Sequence, residues 1–237
     1  MKIMTGIDAI DEVGGIGENV NILLLGPPGP EKQIISLKIL NEVLKKGGKG
    51  IYITTDQLPE EIEKKSQNFK VDISEFTNKN IWFVDCYSWA LGGAERSSRE
   101  TTETTTAEIA EKNETKEIKR SDINVPGPSA LNDLSLGIAE SLRKAVDNPK
   151  IIFQSISTLL LYNNPEMVYR FIQIIGGRLK AANATTLFHC ESGMHDEKTV
   201  ITLRHLVDEV IEIKIEGGKR FLKSHTLGID DWKEFKI

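Results

Sequence analysis

The sequence predicts an α/β fold in which a mostly parallel central sheet is flanked by helices and closed by a C-terminal antiparallel extension. Three observations predict it. From Val20 onward, short runs rich in leucine and β-branched residues alternate with longer amphipathic stretches, the pattern of parallel strands joined by helical crossovers. The 237 residues are enough to bury a sizeable core without staples. Cys86 and Cys190 stand far apart, with no partner pattern and no zinc-type spacing, so neither a disulfide scaffold nor a structural zinc site is expected.

The elements follow in order. Gly14, Gly15 and Gly17 precede the first clear strand instead of following one, so they read as a turn and not as a dinucleotide fingerprint. Parallel strands are expected over residues 20–25, 50–54, 80–84, 150–154, 185–190 and 209–215, with 220–225 and 232–237 as a closing antiparallel pair. Residues 31–46 form a helix carrying Ile34, Ile35, Leu37, Ile39, Leu40, Val43 and Leu44. It ends in Lys45 and Lys46 before Gly47 and Gly48, cations ahead of a glycine stop. Pro59 opens a second helix, whose Glu60, Glu61 and Glu63 complement the positive end of the helix dipole. Residues 131–146 place Leu131, Leu134, Ile138, Leu142 and Ala145 on one face, and 165–182 do the same with Val168, Phe171, Ile172 and Ile175. Gly176 and Gly177 inside that last helix cost about 1 kcal/mol each relative to alanine, so they mark a close-packing point or a local bend.

Residues 92–127 break the pattern. They contain almost nothing apolar to bury, run through a threonine-rich stretch and a charged block, and finish in Val125, Pro126, Gly127 and Pro128. The expectation is a polar insertion in one domain of residues 1–237, either disordered or carrying an exposed helix around 107–119. The bland reading is a solvated loop, and the alternative is a partner-binding arm.

Net charge is −5, which argues against an electrostatic nucleic-acid binder. Acid and glycine arrive within the first eight residues, and the longest apolar runs, 22–25 and 159–161, are far too short to span a bilayer. A cytoplasmic protein without a membrane role is expected.

The sharpest feature is Gly26, Pro27, Pro28, Gly29, Pro30, Glu31, Lys32 and Gln33, set between the first clear strand and the first long helix, where a phosphate-binding loop belongs. With the opening Thr5-Gly6-Ile7-Asp8, the strand Tyr52-Ile53-Thr54, the run Val84-Asp85-Cys86-Tyr87-Ser88-Trp89, the segment Ser155 to Leu160, Ser192 to Glu197 and Leu206 to Ile211, it resembles the KaiC/RadA-like branch of the RecA superfamily. The resemblance spans most of the chain. It implies a RecA-like sheet with helices on both faces, an ATP-binding loop and assembly into rings or filaments.

Four positions depart from what the resemblance implies. In such a loop, backbone N–H groups and a lysine hold the phosphates and a Ser or Thr hydroxyl binds magnesium. Lys32 is intact. Glu31 replaces the final loop glycine, putting a carboxylate where phosphate should approach. Two unit charges about 5 Å apart repel by roughly 3 kcal/mol at an effective dielectric near 20. Pro30 removes an N–H donor. Gln33 replaces the magnesium-binding hydroxyl. Gln154 stands where relatives place the strand-end aspartate of the magnesium site, while Asp85 falls on an earlier strand and reads as a turn carboxylate. Asp56 and Gln57 replace a pair of glutamates, one of which polarises the attacking water. Asp56 either orients a water or helps to start the helix at Pro59. Finally, His225 and Leu227 fall where a neighbouring subunit would supply a lysine and an arginine, and leucine cannot stabilise phosphoryl charge.

The remaining candidates are weak. His189, Cys190, Glu191 and His195 do not make a metal site, because His189 and Cys190 are adjacent on a strand and point to opposite faces. His205 reads as a helix-surface residue, and Trp82, Trp89 and Trp232 as packing residues. The sequence therefore predicts a KaiC-like pseudo-ATPase with a regulatory, signalling or scaffolding role. No cofactor is expected, binding of ATP and magnesium being weakened, and no metal ligand is assigned. Protein partners are expected, with a monomer or dimer favoured over a hexameric ring. The alternatives are a slow, partner-activated ATPase and a recombinase-like DNA-binding paralogue.

Overall fold

The structure, a computed structural model, describes residues 2–88 and 123–236. The chain enters through a two-strand hairpin, β1 (Lys2–Ile3) and β2 (Ile16–Gly17), separated by a short helix α1 (Asp8–Asp11). The glycine turn lies there as expected. Gly15 has φ +85°, and a Cβ on it would sit 2.2 Å from the carbonyl oxygen of Ile3, so only glycine fits.

Nine strands form one sheet. In chain order they are β3 (Asn21–Gly26), β4 (Gly50–Thr54), β5 (Ile81–Asp85), β6 (Ile123–Asn124), β7 (Lys150–Gln154), β8 (Thr185–Glu191), β9 (Glu209–Glu216), β10 (Lys219–Ser224) and β11 (Ile229–Phe235). Their spatial order is β11-β10-β9-β3-β8-β7-β4-β5-β6. All neighbours from β9 to β6 are parallel, while β10 and β11 add antiparallel. The helices are α2 (Glu31–Lys45), α3 (Pro59–Asn68), α4 (Leu131–Lys144), α5 (Ile156–Tyr162), α6 (Pro165–Ala181) and α7 (Glu197–His205). This is a RecA-like α/β architecture.

The period-two alternation of the strands sorts their side chains into two cores. Ile22, Leu24, Tyr52, Ile152 and Leu187 face α1 to α3, packing on Ile10, Ile35, Leu40 and Ile62. Leu23, Leu25, Ile53, Phe153 and Phe188 face α4 to α7, packing on Leu134, Ile138, Leu159, Phe171 and Leu203. Because both faces are covered, the central strands read as continuous apolar runs, and each fully buried aliphatic side chain contributes roughly 1.5–3 kcal/mol. Local signals set the helix starts. Asn164 caps α6 by accepting from the Glu166 N–H at 2.9 Å, with Pro165 in the first turn, and Asp196 caps α7 by accepting from the Thr199 N–H at 2.7 Å.

The structure corrects several expectations. The end of the expected insertion belongs to the fold: Ile123 and Asn124 pair with Val84 and Asp85, and Val125 is buried. Two residues suffice because β6 is an edge strand and only its inner side needs partners. The rest of that insertion, and Trp89, lie outside the described residues. Strand β11 begins at Ile229 instead of 232, and His225 lies in a single 3₁₀ turn after β10, where a register shift between Leu222 and Ser224 ends the regular pairing. Helix α6 continues without a break through Gly176, which abuts the Asn21 side chain. The Asn21 amide donates to the Gly176 carbonyl at 3.2 Å, so Gly176 is a close-packing point.

Candidate nucleotide-type cleft

Strand β3 lies between β8 and β9, whereas β4, the next strand in sequence, lies three places along, with β8 and β7 between them. The connection from β3 runs through α2 toward β4, whereas that from its neighbour β8 runs through α7 on the other face back to β9, so a crevice opens at the carboxyl ends of these strands. It measures about 390 Å³ and is lined by Pro28, Gly29, Pro30, Lys32 and Gln33 from the loop and α2, by Asp56, Gln57, Lys65 and Phe69 around α3, and by Gln154, His189 and Glu191 from β7 and β8.

The loop side is ionic. Gly29 has φ +149°, a backbone conformation that residues with a Cβ rarely adopt, so the loop favours glycine there. Lys32 is almost fully buried. Its ammonium donates to the carbonyls of Pro27 at 2.7 Å and Gly26 at 3.2 Å, and lies 3.6 Å from the Glu191 carboxylate. Glu31 does not line the cleft as the loop pattern implied. Its buried carboxylate turns toward β10, where Arg220 donates to it at 3.3 Å, and its second oxygen has no hydrogen-bond partner. The ionic reach of the loop is thus spent within the chain.

The opposite side is built from amides. Gln33 donates to the Tyr52 hydroxyl at 3.2 Å and to the Gln57 side-chain oxygen at 3.2 Å. The Tyr52 hydroxyl donates in turn to Gln154, and Gln154 donates to Asp56 at 3.1 Å. Lys65 donates to the Gln57 oxygen at 2.7 Å. Gln33, Asp56, Gln57 and Gln154, from three of the four positions where the sequence departs from what the resemblance implies, therefore meet in one network. Both ends of the Gln154 side chain are occupied. The fourth departure lies apart: His225 is exposed and pairs with Asp230 at 2.8 Å, while Leu227 packs on the core.

Burial sets the protonation states. Asp56 is pushed up to about 6, chiefly by loss of water and next by the nearby Glu191 carboxylate, against the hydrogen bond from Gln154. Burial holds the Tyr52 phenol well above its ordinary range. His189 falls to about 3 through burial and the charge of Lys32, so it is neutral, and it shares a 2.7 Å hydrogen bond with the Ser36 hydroxyl. His189 and Cys190 do point to opposite faces, since Cys190 lies in the other core. Asp56 caps nothing: α3 starts from Leu58 without a side-chain cap. Asp85 is a turn carboxylate, accepting from the N–H groups of Tyr87 at 2.8 Å and Ser88 at 2.9 Å. His205 ends α7, and its imidazole lies outside the cleft.

Tyr52, Lys65, Phe69 and Glu191 were not expected as parts of one site. Tyr52 carried a signal, because a tyrosine in the middle of a buried parallel strand needs a partner for its hydroxyl. Nothing local marks Lys65.

A family model described as a family of unknown function, DUF7504, matches residues 20–213. The chain belongs to DUF7504. The matched span runs from the start of the loop strand to β9 and so contains every residue lining the cleft. This DUF7504 chain is similar to the UPF0273 protein PH0284 of Pyrococcus horikoshii, 25% identical over 190 residues that cover 79% of this chain and 67% of the relative. It is similar to the UPF0273 protein MK0039 of Methanopyrus kandleri, 31% identical over 96 residues, 39% of this chain and 38% of the relative. It is also similar to the circadian clock protein KaiC3 of Synechocystis, 31% identical over 87 residues, 35% of this chain and 17% of that protein. The relatives and the sheet order together mark a KaiC/RecA-like relationship. Among the described residues no helix is long and apolar enough to cross a membrane.

Proposed function

We propose that this chain is a non-hydrolysing, KaiC-like RecA-type protein that acts by binding, as a regulator or scaffold in the cytoplasm. The observation that carries the reading is the amide network from Gln33 through Tyr52 to Gln154 and Asp56. Magnesium held between phosphates and protein needs hard oxygen donors, usually carboxylate or hydroxyl, and a shell of water. Here the strand-end position carries a neutral amide bonded at both ends, and the helix position carries an amide that donates its protons to its neighbours. The residues do not fit a magnesium nucleotide. Lys32, which would reach the outer phosphates, would first have to leave two carbonyls and Glu191. Weak or absent nucleotide binding also removes the ligand that would bridge subunits, which favours a monomer or dimer working with a protein partner.

Calorimetry and steady-state hydrolysis assays test this. The expected result is no saturable heat with magnesium ATP at micromolar nucleotide, and no turnover above that of a Lys32→Ala control. Turnover abolished by Lys32→Ala would overturn the reading. One observation favours a second reading, a slow ATPase: Asp56 lines the cleft and titrates at about 6, suited to receiving a proton near neutrality. That reading requires activity lost in Asp56→Asn with a pH profile rising through 6.

A further inference from the structure

We infer that the groove between α4 and α6 is a docking site for an acidic amphipathic helix of a protein partner. The groove holds about 360 Å³ and lies on the sheet face away from α2, so it is separate from the loop cleft. Its floor is apolar, made by Leu131 of α4 and by Phe171 and Ile175 of α6, all buried. Its outer wall is a stripe on α6 at positions 167, 170, 174 and 178, spaced three and four residues apart and hence on one helical face. Met167 and Ile174 in that stripe are 55% and 54% exposed, which is unusual for large apolar side chains placed side by side with a buried floor.

Charge selects the partner. Arg170 and Arg178 bracket Ile174 and are exposed, and among the described residues no aspartate or glutamate lines the groove. The Arg178 guanidinium donates to the Ser135 hydroxyl at 2.8 Å, and among the described residues no carboxylate pairs with either arginine. In a chain of net charge −5 this is a local excess of cation around an apolar slot. The two arginines stand eight residues apart, about 12 Å along the helix, two turns of a helix laid beside it. The complementary surface is an apolar stripe at i, i+3 or i+4 and i+7, flanked by carboxylates about two turns apart. Arginine suits this role because its planar guanidinium takes a carboxylate through two N–H groups.

The inference shares with the proposed function only the premise that the chain binds a protein. A groove that captures its helix in a chain found to hydrolyse ATP would leave this inference standing and that one fallen. The test is selection of helical peptides from a randomised display library on the full chain, with counter-selection on Ile174→Asp and on the double variant Arg170→Glu/Arg178→Glu. Both variants change exposed side chains, and circular dichroism with thermal unfolding checks that they fold. The expected peptides carry an apolar stripe with flanking aspartate or glutamate. In fluorescence anisotropy they should bind about tenfold more weakly to the double variant, with recovery when their acids are changed to lysine. No enrichment over the counter-selected variants, enrichment of basic or uncharged peptides, or loss of affinity without recovery by charge exchange would each overturn it. So would a concentration-dependent dimer in sedimentation that Ile174→Asp abolishes, because a second copy would then be the occupant.

Discussion

The two sides of the loop cleft reach the same end by different chemistry. On the loop side the charges are paired off: Lys32 is held by two carbonyls and Glu191, and Glu31 is held by Arg220. On the far side amides stand in place of ionic groups: Gln33 donates directly to Gln57 and reaches Gln154 through the Tyr52 hydroxyl. Buried charges with few partners are expensive to disturb, whereas a network carried mainly by amides distributes its cost over several modest hydrogen bonds. The sides should therefore respond unequally to single substitutions.

Four measurements sharpen or break that contrast. Lys32→Met should cost the most, about 3 kcal/mol in urea unfolding, because it strands the Glu191 carboxylate and takes the donor from the Pro27 carbonyl, while the Gly26 carbonyl keeps the Ser192 N–H. The double variant Lys32→Met/Glu191→Leu should recover most of that loss; equal losses in both would show that the pair is not what stabilises the loop. Asp56→Asn comes next and acts in the opposite direction. The folded pKa of about 6 lies above the ordinary 3.8, so the folded state holds the proton more tightly. Stability contributed by this group is greatest below about pH 4 and falls as pH rises through 6. Removing the charge should stabilise the protein by about 2 kcal/mol at pH 7 and leave it unchanged at pH 3.5. A pH-independent difference would remove Asp56 from the network.

Tyr52→Phe should cost about 1 kcal/mol, since it deletes one neutral donor and leaves Gln154 Oε1 unpaired while Gln33 keeps Gln57. A loss as large as that of Lys32→Met would contradict the distributed network. Arg220→Ala should cost no more than about 1 kcal/mol, because the Arg220 side chain is 38% exposed and water entering the space it leaves can solvate the Glu31 carboxylate. Little change between low and high salt would show that Glu31 is held by burial and not by the ion pair.

The fold was largely legible in the sequence. β4 and β7 fall within their expected limits, and α2, α4 and α6 differ from expectation only at their last residues, because buried strands and amphipathic helices write their periods into the chain. β6 was not legible: two residues beside a polar stretch have no period, and only pairing with β5 makes them a strand. α5 was hidden because Ile156–Tyr162 spans barely two turns, and its exposed Leu161 and Tyr162 give no polar face. In the site, Gln33, Asp56 and Gln154 were found by their places in a motif. Tyr52, Lys65 and Glu191 join them from three separate elements.

What the sequence determined by itself was the architecture, the position of the loop and the chemical identity of each altered residue, since these depend on local period and residue type. What only the tertiary structure decided was where each polar group spends its bonds. Glu31 faces Arg220 across 189 positions of chain, and Gln154 meets Asp56 across 98, distances at which no local pattern carries information. Burial then makes the assignment firm, because in a dry cleft each donor and acceptor must find the partner that folding brings within about 3 Å.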